Sequence, residues 1–307
     1  MFESIQPFDN AFLHAVQGAA PAWSIKLFDS ITFLGNPVFW LFVATLLYWS
    51  HREKNAFFLV NLVLFASAVT AVFKVVFARP RPLPTDFRVS PENPLLKQFE
   101  QGFDFSFPSG HSITIGALVG YYSKKYKKTL LLACGILALI LVAFSRMVLG
   151  LHFLSDVVVG IGIGLVVGKI AWKIQQSFEK HHFRLTKLEA EAGLVAIILV
   201  SLIATLFLDK PALVAALLGF YAGFFLGAEK GFKQTPVHHS LQAVKIAVGL
   251  LVLGLILLPA VLWTQSWLQF GLLFLSGFWV SFLYPWLFEK AVREPVKIDI
   301  SYRRPRK

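Results

Sequence analysis

The composition of this chain is typical of a membrane protein. It has 307 residues, of which 56% are hydrophobic, and its mean hydropathy is +0.66. Apolar runs of roughly 20 residues, the length at which a helix crosses a bilayer, recur along it, and a soluble protein of this size would not carry so many. The formal net charge of +12 does not indicate a nucleic-acid partner, because the basic residues fall in short clusters between the apolar runs and no recognition motif accompanies them.

The first 30 residues precede the apolar runs and are only mildly amphipathic. Phe8, Phe12 and Val16 recur at helical spacing. We predict that residues 1–30 form an N-terminal segment of one or two short helices lying at the membrane interface. A poorly formed first span is the alternative for residues 2–28.

The rest of the chain is predicted to be an all-α, polytopic membrane protein with about nine transmembrane helices. Residues 31–174 form the core that carries the polar motifs, residues 188–288 add further transmembrane helices, and residues 289–307 form a basic tail. The predicted spans are 31–50, 55–78, 109–123, 129–146, 153–172, 188–208, 211–228, 240–263 and 267–288.

Basic clusters indicate how these helices are oriented. Lys and Arg residues follow the first, third, fifth, seventh and ninth predicted spans, whereas the opposite connections are sparse in charge. By the positive-inside rule the basic side is cytoplasmic, so the tail at 289–307 is cytoplasmic, and the N-terminus and the loop 79–108 face outward. Lys245 lies inside the eighth span, close enough to its cytoplasmic end for the side chain to snorkel toward water.

Three polar motifs interrupt the apolar pattern, and all three fall on the predicted outer side. The last is the most informative, because His152 and Asp156 are four residues apart and so share one face of a helix. A carboxylate there can hold one imidazole nitrogen and leave the other free as a nucleophile or base. In chain order the motifs are Lys74-x6-Arg81-Pro82, Phe107-Pro108-Ser109-Gly110-His111 and Ser145-Arg146-x5-His152-x3-Asp156.

This set of side chains suits the transfer of a phosphoryl group. Such a transfer requires stabilised phosphoryl oxygens, a nucleophile in line and a proton donor for the leaving group. Lys74, Arg81 and Arg146 are predicted to bind the phosphoryl oxygens, the arginines through their planar fork. The backbone N–H groups of Ser109 and Gly110, at the positive end of a helix dipole, are predicted to add phosphate contacts.

The two histidines receive different roles. His152 is the predicted nucleophile, which forms a phosphohistidine that water then hydrolyses, and Asp156 holds its second nitrogen. His111 is the predicted acid for the leaving alcohol and afterwards the base for water. No metal ion or other cofactor is predicted, because three cations take the part of a divalent ion and no carboxylate cluster accompanies the motifs. The single cysteine, Cys134, excludes a multi-thiolate metal site.

These motifs resemble the signature of the type 2 phosphatidic acid phosphatase superfamily, which is Lys-x6-Arg-Pro, Pro-Ser-Gly-His and Ser-Arg-x5-His-x3-Asp. The resemblance covers residues 31–172, about half of the chain, and implies a helical phosphatase core at 31–174 with the residue roles given above. Its spacing selects Arg81 as the phosphate-binding arginine and leaves Arg79 as a neighbour that touches substrate or lipid headgroups. Soluble acid phosphatases and vanadate-dependent haloperoxidases share this site, but the predicted spans argue against both.

The resemblance does not separate the substrates of the family, but a membrane-embedded site suits an amphiphile, so a lipid phosphate or diphosphate among other membrane lipids is the predicted substrate. The positive-inside rule predicts that it is cleaved on the extracytoplasmic side. Three alternatives stay open: a glucose-6-phosphatase-like enzyme for a soluble sugar phosphate, a lipid phosphotransferase with the same intermediate, and a transporter or scramblase with vestigial motifs. The sequence does not decide whether the protein forms a homo-oligomer. It also assigns no task to residues 188–288, which contain no catalytic constellation.

Two further features bear on the predicted site. Gly160, Gly164 and Gly168 recur every four residues, which predicts close packing of the helix that carries Asp156. The loop at 79–107 is long enough to predict a functional role, as a gate or a specificity element.

Overall fold

All regular structure in the described part of the chain is helical. The structure is a computed structural model that describes residues 2–90, 105–180, 211–263 and 266–293. These ranges contain no strand, so the prediction of an all-α protein is confirmed. Their α-helices are α1 (Gln6–Ala19), α2 (Ser24–Thr32), α3 (Pro37–Trp49), α4 (Glu53–Phe77), α5 (Gly110–Tyr126), α6 (Thr129–Val148), α7 (Leu154–Lys180), α8 (Pro211–Glu229), α9 (His239–Leu262), α10 (Ser266–Phe278) and α11 (Tyr284–Arg293).

The prediction of a polytopic membrane protein is confirmed, but the count of nine spans is not. The described residues contain five candidate spans, and the bent pair Ser24–Gly35 and Pro37–Trp49 would be a sixth if it crosses the membrane as one span. The predicted span at 188–208 lies outside the described residues, and those at 109–123 and 211–228 correspond to shorter helices. Within the described residues, five helices are long and apolar enough to cross a membrane: Glu53–Phe77, Thr129–Val148, Leu154–Ser177, His239–Leu262 and Trp267–Val292.

The first predicted span, 31–50, is wrong at its start, because the helix is interrupted at Asn36, before Pro37. The proline ring disfavours a helical conformation of the preceding residue, and Asn36 is extended, with φ −75° and ψ 129°. The Asn36 side chain then caps α3 by accepting a hydrogen bond from the Val38 amide at 2.8 Å. The two helical segments on either side of the break differ in direction by 56°.

The described residues divide into two compact units, the first made of 2–90, 105–180 and 211–214 and the second of 215–263 and 266–293. In the first unit α5 is surrounded by protein, since every side chain from His111 to Tyr121 is buried.

The predicted close packing along the glycine stripe of α7 is confirmed, and its partner is α5. A Cβ atom built on Gly164 would lie 2.4 Å from the Ile113 carbonyl oxygen, and one on Gly168 would lie 2.1 Å from the Ala117 carbonyl oxygen. Only glycine lets the two backbones come this close. The contact therefore fixes the helix that begins at Gly110 against the helix that carries Asp156.

The N-terminal segment forms two short helices where the sequence predicts one or two, and α1 packs into the first unit. Its position at the membrane interface stays a prediction. Leu13 and Val16 of α1 join an apolar cluster with Met147 of α6 and Val157 of α7. The Gln17 side chain also binds the chain after the first motif, donating from Nε2 to the Arg88 carbonyl at 2.7 Å and accepting from the Arg88 amide at 3.0 Å. The first helix is thus joined to the helices that carry the motifs.

In the second unit, the prediction that Lys245 snorkels is wrong. Lys245 is 0% exposed, and its ammonium donates to Gln234 Oε1 at 2.7 Å and lies 4.9 Å from the centre of the Phe288 ring. A buried charge requires such partners. Glu289 of α11 accepts two hydrogen bonds from Thr235, at 2.6 Å and 2.7 Å, so polar contacts hold the connection between α8 and α9 from both sides.

Candidate active site

A cleft in the first unit brings together residues from all three motifs. Its cavity volume is about 70 Å³, against roughly 10–15 Å³ for a single water. The cleft therefore has room for a phosphoryl group. No carboxylate occurs among the described residues that line it, and its polar and glycine lining includes Lys74, Arg81, Gly110, His111, Arg146 and His152.

The charged residues reach the cleft from the ends of helices. Lys74 lies in the last turn of α4 and Arg146 in the last turn of α6, while His111 lies in the first turn of α5 and His152 in the turn before α7. Lys74 is 7% and Arg146 2% exposed. Charges placed at helix ends avoid the cost of a position at the bilayer centre, and they can converge on one anion.

Elements before the first motif brace two of these residues. Arg146 Nη1 donates to the Thr32 hydroxyl of α2 at 3.2 Å. Gly35 lies against His111, since a Cβ atom at position 35 would come within 2.9 Å of the His111 Cβ atom. The break before Pro37 therefore brings a glycine against the predicted acid, where a larger residue would displace it.

His152 and Asp156 lie side by side, as their spacing predicts. His152 Nδ1 is 3.6 Å from Asp156 Oδ2, which is longer than a hydrogen bond. The same carboxylate oxygen accepts from the Phe153 amide at 2.8 Å and from the Ser106 hydroxyl. Asp156 thus caps the start of α7 as well as facing the histidine.

The start of α5 differs in one respect from the expectation for Ser109. Its amide donates to the Asp156 carbonyl oxygen at 3.1 Å, and its hydroxyl accepts from Ser112 at 3.0 Å. Ser109 is 0% exposed, whereas Gly110 lines the cleft. The Ser109 amide is therefore used to join α5 to α7, and among these two amides that of Gly110 is the candidate for a phosphate contact.

Of the two arginines in the first motif, Arg81 lines the cleft and Arg79 does not. The expectation that Arg79 touches substrate or lipid headgroups is wrong, because Arg79 is 2% exposed and its guanidinium is paired with two carboxylates. It lies 2.7 Å from Asp156 Oδ1 and 2.8 Å from Asp9 Oδ2. Arg79 thus lies behind the predicted catalytic residues, bound to Asp156.

One side of the cleft is apolar. Pro37, Val38 and Leu41 of α3 and Val63 and Leu64 of α4 line it beside the cationic residues. A small polar substrate would make no favourable contact with this apolar lining, whereas the hydrocarbon chain of an amphiphile can pack against it.

Sequence reasoning missed Asp9 and Ser106 as neighbours of the site. A signal for Asp9 was present, because it shares the buried face of α1 with Leu13 and Val16 at helical spacing. A carboxylate on an apolar stripe requires a buried partner. Ser106 had no comparable signal, and most of the loop predicted to act as a gate, residues 91–104, lies outside the described residues.

Comparison with protein families gives two matches along this chain. Residues 55–180 match the PAP2 superfamily, and residues 211–293 match the PAP2 superfamily phosphatase, transmembrane extension. Together the two matches cover more than half of the 307 residues. The first contains all three motifs, and the second covers most of the helices that carried no catalytic constellation.

The individual relatives described next are less than 30% identical to this chain. The chain is 27% identical to lipid A 4'-phosphatase of Porphyromonas gingivalis over 133 residues, 42% of this chain and 56% of that protein. It is 29% identical to phosphatidylglycerophosphatase B of Bacillus subtilis over 180 residues, 53% of this chain and 81% of that protein. The chain thus spans little more than half the length of the first relative. A crystal structure of a Bacillus subtilis PAP2-type phosphatidylglycerolphosphate phosphatase overlaps with 60% of this chain and 90% of that one, with a TM-score of 0.47 and 23% identity.

Proposed function

This chain belongs to the PAP2 superfamily, and we propose that it is a membrane phosphatase that hydrolyses lipid phosphate monoesters or diphosphates without a metal ion. The observation that carries the proposal is the cleft with two kinds of lining. One side presents Lys74, Arg81 and Arg146 with two histidines, and the other is apolar. Cations select a phosphate, and the apolar side selects a substrate with a hydrocarbon part.

The proposed reaction has two steps. In the first, His152 Nε2 attacks the phosphorus atom, the bond to the leaving oxygen breaks, and His111 gives that oxygen a proton. In the second, water attacks the phosphohistidine, His111 takes its proton, and inorganic phosphate leaves with free His152 restored. Asp156, beside Nδ1, stabilises the positive charge that the imidazole carries in between.

The proposed side of the reaction is extracytoplasmic. Support comes from the distribution of Lys and Arg, because all three motifs fall on the side opposite the basic connections. Two relatives named for lipid substrates, lipid A and phosphatidylglycerophosphate, support the lipid class over a sugar phosphate.

The first test is phosphate release by the purified full chain in detergent with a chelator present. We expect release from phosphatidate, phosphatidylglycerophosphate or a polyprenyl diphosphate, and much weaker release from glucose-6-phosphate, since only the lipids use the apolar side. Release only from the sugar phosphate would favour the soluble-substrate alternative. Phosphate that appears on an added alcohol would favour the phosphotransferase, and no turnover of any kind would contradict the proposal.

A variant of the apolar side makes that test specific to the substrate class. Leu41→Gln is expected to lower kcat/KM for the preferred lipid by roughly tenfold, because the substitution places a polar side chain where the hydrocarbon part of the substrate would make an apolar contact. The matched control is Phe42→Gln, which places the same residue one position along α3 on an exposed side chain that does not line the cleft. Equal losses for both variants would argue against a hydrocarbon contact at Leu41.

A further inference from the structure

We infer that Asp9 and Arg79 form a positioning pair that fixes the orientation of Asp156 and the net charge of the group around it. Helix α1 would then contribute to catalysis through Asp156. The inference deepens the proposed function and rests on it. The family match begins at residue 55, so α1 lies outside it. What carries the inference is a continuous set of buried contacts from Asp9 to His152.

Arg79 uses both ends of its guanidinium fork in this set. Nη1 donates to Asp156 Oδ1 and to the Ser155 hydroxyl, each at 2.7 Å. Nη2 donates to Asp9 Oδ2 at 2.8 Å and to Gln6 Oε1 at 2.7 Å. A planar fork bound on both sides cannot rotate without losing several hydrogen bonds, so it holds Asp156 at a fixed angle.

Two aromatic rings clamp the same group. The guanidinium carbon of Arg79 lies 4.5 Å from the centre of the Phe2 ring and 4.3 Å from that of Phe153. Both distances are within the range in which a cation is attracted to a ring face. Phe153 is also the residue after His152, so the clamp reaches the turn that carries the nucleophile.

Asp9 adds a second connection to the start of α7. Its Oδ1 accepts from the Ser155 amide at 3.0 Å, and its Oδ2 accepts from the Ser155 hydroxyl as well as from Arg79. A carboxylate at a helix N-terminus satisfies an amide that has no partner within the helix and interacts favourably with the dipole. Asp9 therefore holds the first turn of α7 directly and Asp156 through Arg79.

The charge balance explains why two carboxylates share one arginine. The formal charges of Asp9, Arg79 and Asp156 add up to one net negative charge. All three residues are nearly fully buried. The titratable groups that line the cleft together with His152 are the cations Lys74, Arg81 and Arg146 and the second histidine, His111. Against these three cations, a net negative charge behind His152 is what stabilises a positive imidazole when phosphorus is bound to it.

Stability alone does not account for such a cluster. Buried ion pairs often contribute little net stability, because the cost of removing charges from water offsets their attraction. Without Asp9, the pair of Arg79 and Asp156 would carry no net charge, which would weaken the stabilisation of a positive His152 imidazole. The phosphate-binding cations would keep their own contacts, so binding would change little.

The experiment compares kcat and KM of the full chain with those of Asp9→Asn and Arg79→Lys, on the lipid that the wild type hydrolyses best. Rates are normalised to folded protein by the amplitude of thermal unfolding. We expect each variant to lower kcat by about tenfold, less than the 10²–10³ for a group that touches the reacting atoms, with KM within about threefold. The double variant should lose less than the product of the single losses, because the two residues act as one unit. Asp29→Asn on α2, an exposed carboxylate, is the matched control and should leave both constants unchanged.

Three results would overturn the inference while the wild type is active. These are an unchanged kcat per folded molecule, a change confined to KM, and single losses that multiply in the double variant. If Asp9→Asn does not fold, Ser155→Ala decides, since it removes a hydroxyl from the same contacts without removing a charge, and an unchanged kcat there counts against the pair. A wild type that releases no phosphate from any substrate contradicts the proposed function instead, which separates the two failures.

Discussion

Replacing His152 with alanine is expected to lower phosphate release by a factor on the order of 10⁴–10⁶, the range found when a nucleophile is removed from a group of residues that act together. His152 is 1% exposed, lines the cationic cleft and has Asp156 beside it. Alanine leaves the phosphate-binding cations in position, so the variant should still bind substrate and should fail at the chemical step. The measurement is phosphate release under saturating lipid, with binding followed separately by protection of the protein against thermal unfolding.

The same experiment distinguishes the nucleophile from the acid. His111→Ala should cost about 10²–10⁴ on an alkyl phosphate, because the leaving oxygen then lacks a proton donor. With nitrophenyl phosphate the oxygen leaves as a stable nitrophenolate anion without a proton, so this variant should release one equivalent of nitrophenolate per enzyme in a burst and then stall, since water lacks its base. His152→Ala should show no burst with either substrate.

His239→Ala is the matched control, because His239 is exposed and belongs to the second unit. It should behave as the wild type. A burst that survives in His152→Ala would contradict a phosphohistidine at this position. Equal losses for both active-site variants on both substrates would argue that the two histidines do not have separate roles.

Residue spacing predicted the part of the candidate site that lies within one short segment, because helical geometry is regular. The three motifs were grouped through their family resemblance. His152 and Asp156 share a face four residues apart, and their predicted proximity is realised at 3.6 Å. The apolar runs likewise predicted α4, α6 and α9 to within a few residues, because a bilayer requires long uninterrupted hydrophobic helices. For α7 they predicted the start, but the helix continues eight residues beyond the predicted end at 172.

The parts that sequence could not supply depend on contacts between distant residues. Nothing in the spacing of Asp9, Arg79 and Asp156 indicates that they meet, since they are 70 and 77 residues apart in the chain. The spacing of the first motif selected Arg81 over Arg79 for the cleft, but only the packing shows that Arg79 is bound to Asp156. Lys245 was misplaced for the same reason, because its partner Gln234 belongs to the preceding connection, which carries no periodic signal.

The helix contacts determine where the acid stands relative to the nucleophile. His111 begins α5 and His152 precedes α7, so the distance between them is set by how closely these helices cross. The crossing is set by the glycines of α7. A change of helix separation should therefore appear in both stability and rate, in proportions that depend on how near the changed residue is to the cleft.

Alanine substitutions along the glycine stripe are expected to show that gradient. In Gly168→Ala the added carbon would meet the Ala117 carbonyl oxygen at 2.1 Å, and in Gly164→Ala the Ile113 carbonyl oxygen at 2.4 Å. Backbone atoms cannot move aside as a flexible side chain does, so each variant should lose about 1–3 kcal/mol of stability. The measurement is the midpoint of thermal unfolding of the full chain in one detergent.

Gly160→Ala should act on the rate instead. Its added carbon would lie 2.9 Å from the Ser109 carbonyl oxygen and 3.1 Å from the Ser112 Cβ atom, next to the residues that open α5. A displacement of about 1 Å there can cost roughly 10²-fold in rate, because acid and nucleophile must approach one phosphorus atom together. Gly162→Ala is the matched control on the same helix, since no atom lies within 4 Å of the added carbon, and it should leave rate and stability near those of the wild type. If all four substitutions lower stability equally, or if Gly160→Ala keeps full activity per folded molecule, the crossing of α5 and α7 does not set the geometry of the site.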